Sequence, residues 1–263
     1  MTHPFAEERP TSAGVQELMA CRLAAELADG EVMVVGGVSL IPMAAGLLAQ
    51  QTHAPNLTLV TGSGAVNPRP KALVPSGADE AYLSTAEALI DIQDVFDHTE
   101  KGTFDVICLG GMQVDRYGNI NLTVVDAGPS RGLVRGPGLV NVGITMTVGR
   151  TMLCVTEHRT RTMVPSVDFA SGAGRRRPDG TPYPARKGGG PSLCITPLAV
   201  LDFDERDQMR VASVHPGVAP EEVRERTGFP LAIHDAGEPT PTPSPEILDV
   251  LRRRVDPTGW LSR

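Results

Sequence analysis

The chain has 263 residues, of which 41% are hydrophobic, so it is long enough to bury the core of one large domain. Only 4% of the residues are aromatic and the formal net charge is −7, which argues against a nucleic-acid-binding protein with basic patches and stacking rings. The cysteines are far apart in the sequence and form no C-x-x-C pair, so we expect reduced thiols rather than disulfides or a zinc site.

No segment has the features of a signal peptide or of a membrane span. The opening sequence, MTHPFAEERPTS, has no basic region followed by an apolar stretch, and no apolar run is long enough to cross a bilayer. The six histidines are scattered without the spacing of metal ligands. We therefore expect a cytoplasmic protein without membrane contact or bound metal, with a flexible tail over residues 1–11.

The first half of the chain alternates predicted helices with apolar strands. Helical periodicity begins at Ser12 and stops at Gly30, and a buried strand follows at 31–37. Ser39 is a candidate cap for a second helix, with Pro42 in its first turn. A second strand covers residues 56–60. A further helix is predicted between Asp91 and Gly102, and a further strand at 104–109.

Each of these three strands runs into glycines, at 36–37, 62–64 and 110–111. Apolar strands separated by amphipathic helices predict an open, mostly parallel α/β sheet with helices on both faces. In such sheets ligands bind outside the carboxyl ends of the strands. The glycine turns therefore mark the predicted binding site.

The second half of the chain is predicted to be rich in β-structure. A loop over 171–191 is indicated by its glycines, prolines and arginines. The other predicted elements are a strand at 151–156, a hairpin of 199–204 with 209–214, a short helix at 220–227, and a proline-rich linker at 239–245 that leads to a last helix ending at Arg254. We expect residues 12–263 to form a single domain.

The most specific motif is Gly110-Gly-Met-Gln-Val-Asp-Arg-Tyr-Gly-Asn-Ile-Asn121. A tight turn would account for Gly118 and Asn119. It does not account for Gln113, Asp115 and Asn121 around the junction of two apolar strands. The usual dinucleotide, P-loop, zinc-protease and nucleophile-elbow motifs are absent from the sequence.

The motif resembles the G-[GA]-x-Q-[VI]-D-x-x-G-N-x-N segment in the B-type chain of glutaconate CoA-transferase and its relatives in family I of the CoA-transferases. Similar segments extend over nearly the whole chain, at 34–49, 52–60, 136–141 and 215–229. The resemblance implies an α/β sheet shared with ribose-5-phosphate isomerases. It also implies an A-type partner subunit, an active site at the interface of the two subunits, and a small acyl-CoA substrate. Coenzyme A would then be part of the substrate and not a covalently bound cofactor.

The resemblance assigns residues to the active site. Gln113, Asp115 and Asn119 are expected to act in catalysis, and the alternative is that they only bond the turn. The expected contacts to substrate or CoA come from loop residues, namely Gly62, Ser63, Gly64, Gly110, Gly111, Gly136, Gly138 and Asn141. The arginines of 175–177, with Arg186 and Lys187, would either hold the CoA phosphates or be solvated.

The sequence departs from the transferases at the nucleophile. In authentic transferases of this family a glutamate directly after the second strand attacks the thioester. Here Gly62 occupies that position, and no Asp or Glu lies between Glu31 and Asp79. Ser63 is an alternative nucleophile, but the nearest histidine in the sequence is His53, and a turn hydroxyl that bonds backbone is the simpler interpretation.

Without the glutamate, the resemblance is closer to a decarboxylase of glutaconyl-type CoA esters that forms no covalent glutamyl-CoA intermediate. The alternatives are an acyl-CoA ring-opening hydrolase, a transferase that uses another group, and a non-catalytic scaffold subunit. A sugar-phosphate isomerase of the same fold is a further alternative.

Overall fold

The computed structural model describes residues 11–139, 143–184, 187–233 and 238–262. Within these ranges the helices are α1 (Val15–Ala24), α2 (Leu40–Gln50), α3 (Glu80–Leu83), α4 (Ile92–Lys101), α5 (Ile144–Thr147), α6 (Pro220–Glu225) and α7 (Pro245–Val250). The strands of the first half are β1 (Val32–Val35), β2 (Thr58–Thr61), β3 (Ala65–Val66), β4 (Ala88–Leu89), β5 (Val106–Leu109), β6 (Gln113–Asp115), β7 (Ile120–Asn121) and β8 (Val124–Asp126). They are followed by β9 (Leu133–Arg135), β10 (Arg150–Cys154), β11 (Met163–Val164), β12 (Pro191–Ile195), β13 (Ala199–Phe203), β14 (Met209–Val214) and β15 (Ala232–Ile233).

Among the described residues, ten strands form one sheet in the order β15-β14-β13-β12-β10-β5-β1-β2-β3-β4. Its centre is parallel, because β12, β10, β5, β1 and β2 all run in the same direction. In the middle of the sheet Val34 is in register with Val60 on one side and Ile107 on the other. The strands β13 and β14 on one flank, and β3 and β4 on the other, pair antiparallel.

The alternating side chains of the central strands build a core on each face of the sheet. Met33, Cys108 and Met152 face the cluster that includes α1, α2 and α7. Val34 and Leu153 face the cluster that contains α4, α5, α6 and the small strands β6, β7 and β11. The predicted fold class, an open and mostly parallel α/β sheet with helices on both faces and a β-rich second half, is confirmed.

Two helix ends carry residue types that commonly begin or end a helix. Gly102 ends α4 with a left-handed φ of 70°, and the Ser244 hydroxyl accepts from Ile247 N at the start of α7. The predicted hairpin is present as β13 and β14. Beyond α7 the chain continues as a π-helical turn, Leu251–Val255.

Two small sheets lie outside the main one. In the described parts of the chain, β11, β6 and β7 form a three-stranded sheet, and β8 pairs with β9 in a separate hairpin. None of the described helices is long and apolar enough to cross a membrane. Residues 1–10 lie outside the described ranges, so the flexible tail stays a prediction, as does the single domain.

Candidate active site

The carboxyl ends of β5, β1 and β2 lie side by side, and the predicted glycine turns meet there. Gly62 N donates to Val35 O at 2.7 Å, which ties the end of β2 to the end of β1. A Cβ atom on Gly62 would lie 3.3 Å from Val35 O and 3.4 Å from Gly37 N. The side-chain direction at position 62 therefore points into the Gly36–Gly37 turn.

A fourth glycine turn, at Gly77, joins this site and was not predicted from the sequence. Gly77 N donates to Gly37 O at 2.7 Å, and a Cβ on Gly77 would lie 3.4 Å from the carbonyl oxygens of both Gly36 and Gly37. Gly77 precedes Asp79, whose carboxylate caps α3 through Ala81 N at 2.9 Å. The Ser-Gly step before a capped helix was the only local signal, and it did not indicate contact with residues forty positions away.

The hydroxyl of Ser63 is already engaged. Ser63 Oγ donates to Gly77 O at 2.6 Å and lies 2.8 Å from Thr61 Oγ1, which itself accepts from Ala65 N at 3.0 Å. Because Gly77 O can only accept, the Ser63 proton is directed at that carbonyl oxygen. His53 bonds Leu27 O at 3.0 Å instead. The contacts therefore favour the turn-bonding interpretation of Ser63 over nucleophilic catalysis.

Two of the other glycines allow close backbone packing. Gly64 has φ +89° and a Cβ there would lie 1.9 Å from Ile90 O, while a Cβ on Gly110 would lie 2.9 Å from Cys154 O. Side chains at these positions would force the neighbouring strand ends apart. Gly111 begins the turn into β6, where a Cβ would lie 2.8 Å from Gln113 O. These glycines keep the carboxyl ends of the strands together, and their contacts with substrate stay a prediction.

One part of the motif closes a buried turn. Asp115 is fully buried and accepts hydrogen bonds from Tyr117 N, Asn119 N and Asn119 Nδ2 at 2.9–3.0 Å. Burial raises the pKa of the Asp115 carboxyl, while the bonds from Asn119 act to lower it. Asn119 Oδ1 in turn accepts from Gly174 N and from the Tyr183 hydroxyl, both at 2.7 Å. Both side chains are saturated by protein groups.

This turn lies away from the glycine turns. A Cβ on Gly118 would lie 2.9 Å from Pro191 Cγ and 3.0 Å from Phe203 Cζ. Pro191 begins β12 and Phe203 ends the antiparallel β13, so the turn is at the amino end of the parallel strands. Ligands bind parallel sheets at the opposite edge. The geometry therefore favours the structural alternative for Asp115 and Asn119, and their catalytic role stays a prediction.

The other part of the motif holds a residue that sequence reasoning missed. Gln113 Nε2 donates to Asp168 Oδ2 at 2.9 Å, and Asp168 N donates back to Gln113 Oε1 at 3.0 Å. Asn121 Nδ2 also donates to Gln113 Oε1, at 2.8 Å. Asp168 lies 55 positions from Gln113, and no spacing in the sequence connects the two.

The glycine-rich loop after β9 is tied to the segment that follows β7. Gly136 N donates to Thr123 O at 2.9 Å and Gly138 N donates to Leu122 O at 2.8 Å. The loop therefore lies beside the Gln113 end of the motif, and the contacts of Gly136 and Gly138 with substrate stay a prediction. Asn141, which was predicted to contact substrate, lies outside the described residues.

The arginine-rich loop is bonded to the protein itself. Arg175 and Arg176 both pair with Asp207, at 3.6 and 2.8 Å, and the Arg175 guanidinium stacks over the Phe203 ring at 4.7 Å. Lys187 Nζ donates to Glu100 O at 2.9 Å. These contacts support a structural role for the loop at the amino end of the sheet, and Arg186 lies outside the described residues.

Comparisons with known proteins show the family to which the chain belongs. Residues 16–226 match the Coenzyme A transferase family, and the chain belongs to that family. It is 31% identical to the B-type chain of 3-oxoadipate CoA-transferase from Pseudomonas knackmussii, over 90% of this chain and 91% of that one. It is also 31% identical to the IpdB chain of the cholesterol ring-cleaving hydrolase of Mycobacterium tuberculosis, over 89% of this chain and 91% of that one.

Among solved structures, a chain of the decarboxylase AibA/AibB superposes with a TM-score of 0.81 at 28% identity. The match covers 95% of this chain and 97% of that one. These relatives include a transferase, a hydrolase and a decarboxylase, so family membership alone does not determine the reaction.

Proposed function

We propose that this chain is the B-type member of a two-subunit enzyme that acts on a small acyl-CoA without forming a covalent enzyme–CoA intermediate. The observation that carries the proposal is Gly62 at the carboxyl end of β2, where the resemblance places the nucleophilic glutamate of transferases. The side-chain direction there points at Val35 O and Gly37 N. A carboxylate is therefore missing at the position from which it would reach the thioester.

The neighbouring acidic groups do not replace that glutamate. Asp79 and Glu80 are the first acidic residues after Glu31, and Asp79 Oδ1 is used to cap α3. Ser63 has its proton directed at Gly77 O. These contacts support a reaction that needs stabilisation of negative charge on the thioester carbonyl and no protein nucleophile.

The glycine turns supply donors for such a charge. Gly37 and Val38 follow β1 at the carboxyl edge, both are exposed, and their backbone amides can donate to an acyl-CoA carbonyl placed against this turn. A single well-placed donor of this kind stabilises a developing oxyanion by about 3–4 kcal/mol. The same stabilisation serves a dienolate formed by loss of carbon dioxide and an enolate formed by ring opening.

Decarboxylation of a glutaconyl-type CoA ester is the first candidate because the chain superposes on the AibA/AibB decarboxylase over nearly its full length. Ring-opening hydrolysis is the second candidate, supported by 31% identity to the IpdB chain. The names of both relatives also support an A-type partner subunit for this chain. Transfer that uses another group, and a scaffold role for this chain, are the remaining alternatives.

The test is to incubate the complex of this chain and its A-type subunit with a panel of acyl-CoAs and to identify products by mass spectrometry. We expect loss of carbon dioxide from a glutaconyl-type ester, or addition of water to a cyclic ketone ester. With excess acetate, we expect no acetyl-CoA above the level of an enzyme-free control. Ping-pong exchange of CoA, or a protein–CoA thioester trapped on this chain, would refute the proposal.

A further inference from the structure

The β8–β9 hairpin contributes little to either core. It forms its own two-stranded sheet, all three residues of β9 are exposed, and the Leu133 and Val134 side chains keep 70% and 44% of their surface open. A two-stranded hairpin on its own is only marginally stable in water. Something other than core packing therefore holds this hairpin in place.

The polar cluster of the motif holds it. Asn121 fixes the start of β8, since its Nδ2 donates to Val124 O at 2.6 Å and its Oδ1 accepts from Val124 N at 3.2 Å. Asp168 fixes the end of β8 by accepting from Asp126 N at 2.9 Å. Gln113 bonds both Asn121 and Asp168, so one buried amide braces the two ends of the strand.

A braced element that exposes apolar side chains is typical of a docking surface. We infer that the β8–β9 hairpin, together with Phe169, is the surface on which the A-type subunit docks. This inference rests on the proposed two-subunit function. Phe169 follows the bracing residue Asp168 and is itself 47% exposed. Gln113 is then a positioning residue for this surface.

The charges around the hairpin indicate what the partner presents. Arg131 and Arg135 flank the apolar pair, both are exposed, and within the described ranges neither has an ion-pair partner. The complementary surface is apolar at its centre, with acidic side chains at its rim. A second copy of this chain is the less favoured partner. This chain matches 97% of one chain of the AibA/AibB decarboxylase, and the name of that enzyme gives its other chain as a different subunit.

The location of the hairpin links docking to the candidate site. The side chain that holds both ends of β8, Gln113, lies three positions after Gly110 at the carboxyl end of β5. The chain that leaves β9 is anchored by Gly136 N, which donates to Thr123 O. A subunit that sits on the hairpin would therefore lie beside the Gly110–Gly111 turn, at one side of the candidate site.

The first experiment measures the affinity of the purified A-type subunit for variants of the full chain, without substrate. We expect Leu133→Glu to weaken the complex by tenfold or more. Leu89→Glu is the matched control, since Leu89 is 63% exposed on β4, and it should stay within about twofold of wild type. Equal affinities for wild type and Leu133→Glu, or equal losses in both variants, would overturn the inference. So would a change in self-association of Leu133→Glu with unchanged affinity for the A-type subunit.

The second experiment tests Gln113→Ala in the assembled enzyme. A positioning role predicts weaker assembly, with turnover that recovers to at least half of the wild-type kcat when the A-type subunit is raised to saturation. A kcat that stays tenfold low at saturation would show that Gln113 acts on the reacting groups, and would overturn the positioning role. Because assembly is measured without substrate, failure of the docking surface is distinguishable from failure of the proposed reaction.

Discussion

The Asn119 side-chain amide donates to both carboxylate oxygens of Asp115, at 3.0 and 2.9 Å, inside a turn from which water is excluded. The same carboxylate accepts the backbone amides of Tyr117 and Asn119. All of these donors lie within four residues of Asp115. The pair therefore fixes the shape of the Asp115–Asn119 turn, and through Gly174 it also fixes the start of the arginine-rich loop.

The first prediction is that Asp115→Ala mainly lowers stability. It leaves two backbone amides without their acceptor, while the buried Asn119 amide keeps only its bond to Arg176 O, so the free energy of unfolding should fall by about 2–3 kcal/mol. Urea unfolding of the isolated chain measures the change. Asp179→Ala is the control, since Asp179 is exposed and bonds only its own turn at Thr181. A tenfold loss of kcat in Asp115→Ala with unchanged stability would instead support the catalytic role.

The elements that local sequence determines were predictable. The strands β1, β2 and β5 are apolar runs with buried residues on both faces, and each leads into glycine, which is why the parallel centre of the sheet could be inferred. By contrast, β12 at Pro191–Ile195 begins at the last residue of a run that predicts a loop. Its pairing with β10 depends on tertiary contacts and has no local signal.

The candidate site was predictable only in part for the same reason. The glycine turns at strand ends follow from sequence, but Gly77 and Asp168 join the site through bonds that span long stretches of chain. The motif also divides in space. Gln113 lies at the side of the carboxyl ends, while Asp115 turns away toward Pro191. Because Gln113 and Asp115 are only two positions apart, the sequence gave no indication of that separation.

The second prediction is that two buried histidines lower the free energy of unfolding at acidic pH. His158 lies between Thr196 Oγ1 at 2.8 Å and Thr227 Oγ1 at 2.9 Å, and burial lowers its pKa to about 4. Burial also lowers the pKa of His215, which bonds Thr196 O at 2.8 Å. In the unfolded chain a histidine binds its proton near pH 6.5. Stability is therefore full above that pH and falls as the pH drops from 6.5 toward 4, because only the unfolded state gains the proton.

The expected loss from His158 alone is about 3 kcal/mol across that range. Urea unfolding at pH 7.5, 6.5, 5.5 and 5.0 measures the slope. His158→Gln should make the slope smaller, because the amide can bond both threonines without titrating, and His215 accounts for the slope that remains. A wild-type stability that does not change between pH 6.5 and 5.0 would contradict the prediction.

The third prediction compares two buried threonines. Thr151 is 1% exposed on β10, and its Oγ1 has no hydrogen-bond partner among the described residues. Thr151→Val removes a desolvated hydroxyl while it keeps the branched shape, so the free energy of unfolding should rise by about 1 kcal/mol. Thr61→Val is the matched change at a hydroxyl bonded to Ala65 N, and it should lower the free energy of unfolding by about 1–3 kcal/mol. Effects of the same sign in both variants would contradict the difference in hydrogen bonding between the Thr151 and Thr61 hydroxyls.

The fourth prediction is that Gly62→Glu impairs the native reaction by tenfold or more. A Cβ at this position would be tight, at 3.3 Å from Val35 O and 3.4 Å from Gly37 N, so the backbone of the Gly36–Gly37 turn must shift slightly to admit it. The longer side chain would fill the space above the Gly36–Gly37 turn, and its charge would repel a substrate that carries its own carboxylate in a partly dehydrated site. The measurements are decarboxylation or hydrolysis, and exchange of CoA into acetate, for the assembled enzyme.

Gly62→Gln separates the effect of charge from that of volume, because the two side chains have nearly the same shape. If volume alone matters, both variants should lose the native reaction equally. If repulsion contributes, Gly62→Glu should lose more, and the excess should shrink as the pH falls toward the ordinary pKa of a glutamate, near 4.3. Exchange of CoA is expected only in Gly62→Glu, since an amide cannot form the anhydride with the acyl group. Unimpaired native activity in Gly62→Glu would show that position 62 is remote from the substrate, and the candidate site would then lie elsewhere.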